Sequence, residues 1–182
     1  DDTNHGAITW GDGATGTTGI VDETNSVVGS HTGEQLGLHG IVALPNGHYV
    51  IRAVWWSNGG TTPSSGAIRW ANGEMPSTGS FDATNSMIGS TTGDEVGQVF
   101  RLPNGDYIVY ASAWDNGGIS NAGAIRRGSG TGPTIGAMTS ANALLGTSAN
   151  EFSGTTFIIR PDNSFFISIP GWDNATGVVV YS

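Results

Sequence analysis

Apolar residues along the chain fall in short runs of β-branched and aromatic side chains, each closed off by Gly, Asn, Asp, Ser or Pro. That is the spacing of strands bounded by turns, and no window of ten or more residues carries the 3.6-residue period of a helix. Tyr49 to Trp55 and Tyr107 to Ala111 are the clearest strands. Each follows Pro-Asn-Gly, in which proline presets φ and Asn-Gly tolerates positive φ. The run before each turn, Gly97 to Leu102 for example, is therefore expected to pair back antiparallel as a hairpin. A third strand is expected after the Trp-Asp-Asn-Gly loop, and a fourth between about Thr78 and Ile88 and at the equivalent places, so helix should be nearly absent.

These runs recur with a fixed step. Leu44-Pro45-Asn46-Gly47 returns 58 residues later as Leu102-Pro103-Asn104-Gly105 and again as Arg160-Pro161-Asp162-Asn163. Trp56, Trp114 and Trp172 keep the same step. Gly6-Ala7-Ile8, Gly66-Ala67-Ile68, Gly123-Ala124-Ile125 and Gly177-Val178-Val179 open the third strands, and Asn25-Ser26-Val27-Val28-Gly29 has counterparts at Asn85 and Asn142. A period of this size marks a repeat architecture, in which each unit buries its apolar face against the next. The chain starts and stops at the same phase, so the expected division is a partial unit over 1–30 with third and fourth strands, repeats over 31–90 and 91–147, and a partial repeat over 148–182. The terminal strands, left without neighbours, are expected to drive self-association. A fourth strand over Gly19 to Val28 would complete the last unit, in the same chain or another.

The ordered phrase running from Gly93-Asp94-Glu95-Val96-Gly97 through Pro103-Asn104-Gly105 and Trp114-Asp115-Asn116-Gly117 to Gly123-Ala124-Ile125 resembles the blade repeat of integrin-α-type (FG-GAP) β-propellers. It is similar as well to tandem repeats of large bacterial surface proteins of the haemagglutinin or adhesin kind. The resemblance implies an all-β, β-propeller-like array of four-stranded antiparallel units. It also implies a secreted or cell-surface setting and no particular ligand. No catalytic template is met, so a non-enzymatic structural or adhesion module is expected, with a glycan or cell-surface receptor as the partner class. The calcium loop of the integrin-like family, Asp-x-Asp-x-Asp-Gly, is replaced here by Pro-Asn-Gly, so no metal or other cofactor is expected. Three periods also fall below the usual four to eight blades. The alternative is a closed threefold β-prism or β-trefoil.

Composition narrows the chemistry. The 182 residues carry 15 acids against 6 basic side chains, all arginine, for a net charge of −9, and no cysteine. Such a surface repels phosphate backbones, so nucleic acid is not expected as a partner. Without cysteine or lysine there is no thiolate metal site and no Schiff base. No apolar run reaches the length of a membrane span, so insertion in a membrane is not expected.

Gly11-Asp12-Gly13-Ala14-Thr15-Gly16 matches the dinucleotide fingerprint by letter, but Thr17-Thr18-Gly19-Ile20-Val21 after it is strand-like where a helix is needed, so a turn is expected. His31, His39 and His48 cluster in the first repeat without zinc-like spacing and read as surface or turn residues. The acids recur in turns, with Glu34, Asp94 and Asn150, or Gln35, Glu95 and Glu151, taken as equivalent and explained by capping. Asp1-Asp2-Thr3-Asn4, Asp115-Asn116 and Asp173-Asn174 offer oxygens but too few alternating acids for calcium, and read as Asx turns. Asn174-Ala175-Thr176 is a glycosylation sequon. Trp56, Trp114 and Trp172 are expected to pack between units, whereas Trp10 and Trp70 are expected to be exposed. No catalytic or cofactor-binding residue emerges. The candidate ligand-binding residues are Trp10, Trp70, Trp114, Asp115 and Asn116, and they suit a lectin, with indole stacking on a sugar and amides binding hydroxyls.

Overall fold

The computed structural model describes residues 4–175 and 177–181. Among the described residues four sheets, antiparallel but for one short strand, follow one another along the chain. The first joins β1 (Ala7–Thr9) to β2 (Ser26–Val28). In the second, β3 (Ile41–Ala43), β4 (Tyr49–Ala53), β5 (Ala67–Ala71) and β6 (Met87–Ile88) form a meander. The third is built the same way from β7 (Gln98–Arg101), β8 (Tyr107–Ala111), β9 (Ala124–Gly128) and β11 (Leu144–Leu145). In the fourth, β12 (Thr156–Ile159), β13 (Phe165–Ile169) and β14 (Val178–Tyr181) pair in sequence. The two-residue strand β10 (Gly136–Ala137) leaves the third repeat and pairs in parallel with β6. Among the described residues helix is confined to one turn, α1 (Trp172–Ala175). The chain is all-β with three repeats, and the sheets do not close on themselves.

The turns form as their residues dictate. Gly47 N–H donates to Leu44 O, Gly105 N–H to Leu102 O and Asn163 N–H to Arg160 O, with φ of 88°, 94° and 71° at the donors. One side chain fixes each turn further, because Asn46, Asn104 and Asp162 accept from the N–H two residues on. The fourth strands are shorter than expected. Instead of running from Thr78, β6 is two residues long, and Gly79 makes an isolated parallel bridge to Val27 of the preceding sheet. Between Ser80 and Ser86 the backbone is spent on an Asx turn, in which Asp82 accepts from Thr84 and Asn85 reaches back to Ser80 O. Likewise only Ser26–Val28 of the segment from Gly19 forms a strand. It pairs with its own β1 rather than completing the fourth sheet.

Sheets stack face to face, and this follows from the period of two along a strand. Ile51, Ala67 and Ile88 point with Val27 and Trp56 into a core between the first and second sheets. Their strand neighbours Val50, Ile68 and Met87 meet Tyr107, Val109 and Trp114 between the second and third. Ile108, Tyr110 and Ile125 then meet Phe165, Ile167 and Ile169 between the third and fourth. Strand β8, Tyr-Ile-Val-Tyr-Ala, is buried at all five positions, which is why its sequence reads as an unbroken apolar run.

Candidate functional site

Polar chemistry concentrates where one sheet hands over to the next. Glu34, Asp94 and Glu151 are 2 %, 0 % and 3 % exposed, five residues after Gly29, Gly89 and Gly146. These three are the equivalent acids, so the alignment of Asn150 with Asp94 is corrected by one residue. Each carboxylate draws its own linker into a tight loop. Glu34 accepts from the N–H groups of Ser30 and His31, Asp94 from those of Ser90 and Thr91, and Glu151 from those of Thr147 and Ser148, at 2.7–3.2 Å. The second oxygen of the first two reaches the loop between second and third strands, where Ser57 N–H donates to Glu34 and Asp115 N–H to Asp94. A buried carboxylate persists only where such donors replace its water.

Burial works to raise the Glu151 carboxyl, but the N–H groups and hydroxyls of Thr147 and Ser148 outweigh it and hold the group below its ordinary 4.5. A folded value lowered in this way adds stability that is fully present above the unfolded value and is lost as pH falls through the folded one. Glu151→Gln is therefore expected to flatten the acid limb of a plot of melting temperature against pH, below pH 4.5. An acid limb as steep as that of the unmodified chain would show that this carboxylate does not hold its linker.

Tryptophans supply the second set of ties. The Trp10 indole N–H donates to Gly73 O at 3.1 Å and that of Trp70 to Gly130 O at 3.0 Å, in each case a carbonyl of the next sheet. Gly130 O also accepts from the Asn46 amide at 2.8 Å. Both indoles are half-buried rather than exposed, which corrects the expectation, because their far edges are needed across the sheet boundary. Trp56 and Trp114 pack between sheets as expected. Trp172 differs, since the chain there winds into α1 and leaves it 42 % exposed.

Three candidate ligand residues do meet. Trp114, Asp115 and Asn116 line one cavity of about 440 Å³ with Ser90, Thr139 and Ser140. Asp115 already accepts from Asn121 N–H, and the Asn116 amide donates to Gly146 O. Trp10 lies in a different, 270 Å³ cleft with Ile41, Ala43 and Tyr49. The histidines stand apart in their contacts. His31 bonds Ser30, His39 packs edge-on against Trp55, and His48 packs against Trp70. Burial, then the nearby Arg52, lowers the pKa of His39.

Asp12 caps Ala14 and Thr15 in a tight turn, so the glycine-rich phrase opens no helix. Asp1 to Thr3 and Thr176 of the sequon lie outside the described residues, among which no three acid or histidine side chains are placed to share a metal ion. The melting temperature is expected to change by less than about 5 °C on adding EDTA, and a larger fall would reveal an ion bound to the folded state.

A family model described as "Repeat of unknown function (DUF5650)" matches residues 1–38, 43–98 and 101–155. The chain belongs to this family. No curated protein matches it. The two longer DUF5650 matches begin at or near the first strand of a sheet and end near the first strand of the next, so each takes in a boundary with its buried acid. The acid five residues after a glycine is the sequence signal of each boundary, and its reading as a turn cap leaves out its burial.

Proposed function

We propose that the chain is a non-enzymatic structural or adhesive module of a secreted or surface-displayed protein, propeller-like in plan, which works by adding sheet to sheet. One observation carries this reading. The side chains that catalysis or ligand binding would employ are spent on structure at successive boundaries: Glu34, Asp94 and Glu151 fold the linkers between consecutive sheets, and Trp10 and Trp70 tie one sheet to the next. Stacked consecutive meanders favour the propeller-like plan over a prism or trefoil, where hairpins of all repeats converge on one axis. The setting and the adhesive role rest on the resemblance to surface-protein repeats. Light scattering over a concentration series tests the module reading: a mass that climbs with concentration supports it, and a chain that stays single throughout opposes it.

A second reading, a lectin on the same scaffold, is favoured by the cavity that holds Trp114, Asp115 and Asn116 beside the hydroxyls of Ser90, Thr139 and Ser140. A glycan array distinguishes the two. Binding to one sugar class that Asp115→Ala abolishes would support the lectin, and a blank array would leave the structural module.

A further inference from the structure

The segment Gly19-Ile20-Val21 has the form of a docking strand, yet it pairs with no strand among the described residues. Its place in the repeat is set by the asparagine that follows: Asn25 donates to Ile20 O, Asn85 to Ser80 O and Asn142 to Ala137 O. At the two later positions the segment reaches back to the preceding sheet. Gly79 bridges Val27 in parallel, and Gly136 and Ala137 pair in parallel with Met87 and Ile88. The residue after it then plugs the core between the sheets, Phe81 at 6 % exposure and Met138 at 3 %. At the first position the same residues are in water, Ile20 at 84 % and Val21 at 56 %.

The matching acceptor lies at the other end of the chain. Strand β11 occupies the place of β6, yet Leu144 is 40 % exposed where its counterpart Met87 is 0 %. Two further open positions agree. Ile158 on β12 is 64 % exposed, whereas its counterparts Val42 and Phe100 pack against the next sheet. Ile41 on β3 is 54 % exposed, whereas Val99 and Phe157 in its place pack against the preceding one.

We infer that a second copy of this chain docks head to tail, its Gly19–Val21 segment pairing in parallel with β11 of the first and its β1–β2 sheet joining the β12–β13 hairpin. One placement covers Val21, Leu144, Ile158 and Ile41. Val21 enters the core beside β11, and Ile158 of one copy comes to rest over Ile41 of the other. The contact reproduces the boundary already built between the second and third sheets, so the internal interface continues across copies. Because β1 and β14 hold the same place in the repeat, one of them must leave. Strand β1 is tied to the second sheet through Gln35 and Leu36 N–H and through the Trp10 indole, so β14 is the strand that gives way. Heterologous contacts of this kind run on as a filament or close as a ring according to the rotation per copy.

This inference rests on the self-associating module proposed above and is tested with full-length chains carrying Val21→Asp or Leu144→Asp. Both side chains are solvent-accessible in the single chain, so each variant is expected to keep its melting temperature while its association weakens by roughly tenfold or more, one buried charge costing over 1.4 kcal/mol. Light scattering should then give the mass of one chain, 18.7 kDa, for either variant alone. Mixed, they should form a one-to-one pair and stop there, since each retains the face the other lacks. If the unmodified chain associates and neither substitution matters, the docking is wrong and the module reading survives. If Leu144→Asp alone dissociates the assembly, or the mixture stays monomeric, the contact is not head to tail. A chain that is monomeric at every concentration overturns both readings.

Discussion

Asp94→Ala is expected to lower the melting temperature of the full chain by roughly 10 °C, corresponding to about 3–5 kcal/mol for a chain of this size. The side chain is completely buried and accepts from Ser90 N–H at 2.7 Å, Thr91 N–H at 2.8 Å, the Thr91 hydroxyl at 2.6 Å and Asp115 N–H at 2.9 Å. Alanine leaves three backbone donors from two loops without their acceptor, and each orphaned buried donor costs about 1–3 kcal/mol before relaxation and water entry reduce the sum. Asp115→Ala is the contrast, because the Asp115 backbone N–H that serves Asp94 remains while only the bond from Asn121 N–H is lost. That variant should fall by about 1 kcal/mol. Equal losses at the two positions, measured by thermal or urea melting, would mean that Asp94 is not the organising acid of its boundary.

Gly66→Ala should be as damaging for a different reason. Gly66 sits at φ 77°, and a Cβ there would lie 2.5 Å from Val96 O and closer still to Val96 N, both backbone atoms that cannot swing away. The same residue donates to Trp56 O and accepts from Gly89 N–H, so a shift to relieve the clash disturbs two further loops. Left-handed backbone costs a side chain about 1 kcal/mol, and overpacking against backbone adds about 1–3, giving roughly 2–4 kcal/mol in all. Gly93→Ala separates the two contributions, since its φ is 83° but nothing stands within 4 Å of the added carbon. A loss near 1 kcal/mol at Gly93 and several-fold more at Gly66 is the expected pattern. Similar losses at both would show that the β5–linker approach is looser than drawn.

Much of this architecture can be read locally. Pro-Asn-Gly between apolar runs specifies its hairpin because the turn geometry depends on four consecutive residues. The unbroken run Tyr107 to Ala111 announces burial on both faces because successive side chains point to opposite sides. The 58-residue step forces equivalent strands into equivalent sheets. The glycine-rich phrase at Gly11 could be recognised as a turn because strand-like residues follow it.

What the chain could not disclose by itself depends on groups far apart along it. An acid flanked by serine, threonine and glycine looks like a solvated turn, but Asp94 is buried and accepts from the N–H of Asp115, 21 residues on, as well as from its neighbours. Trp10 and Trp70 look free to be exposed, and are half-buried because their acceptors, Gly73 and Gly130, lie 63 and 60 residues away on the next sheet. The fourth strands are shorter than the sequence predicts because backbone from Ser80 to Ser86 can satisfy itself in an Asx turn as well as in a ladder. Sequence alone determined the strand units, their order and their period, all products of short-range sterics and alternation. Which face meets which, which acids go inside and which apolar strands stay open were decided by stacking. Those contacts join residues tens of positions apart, and they exist only once consecutive sheets have closed on one another.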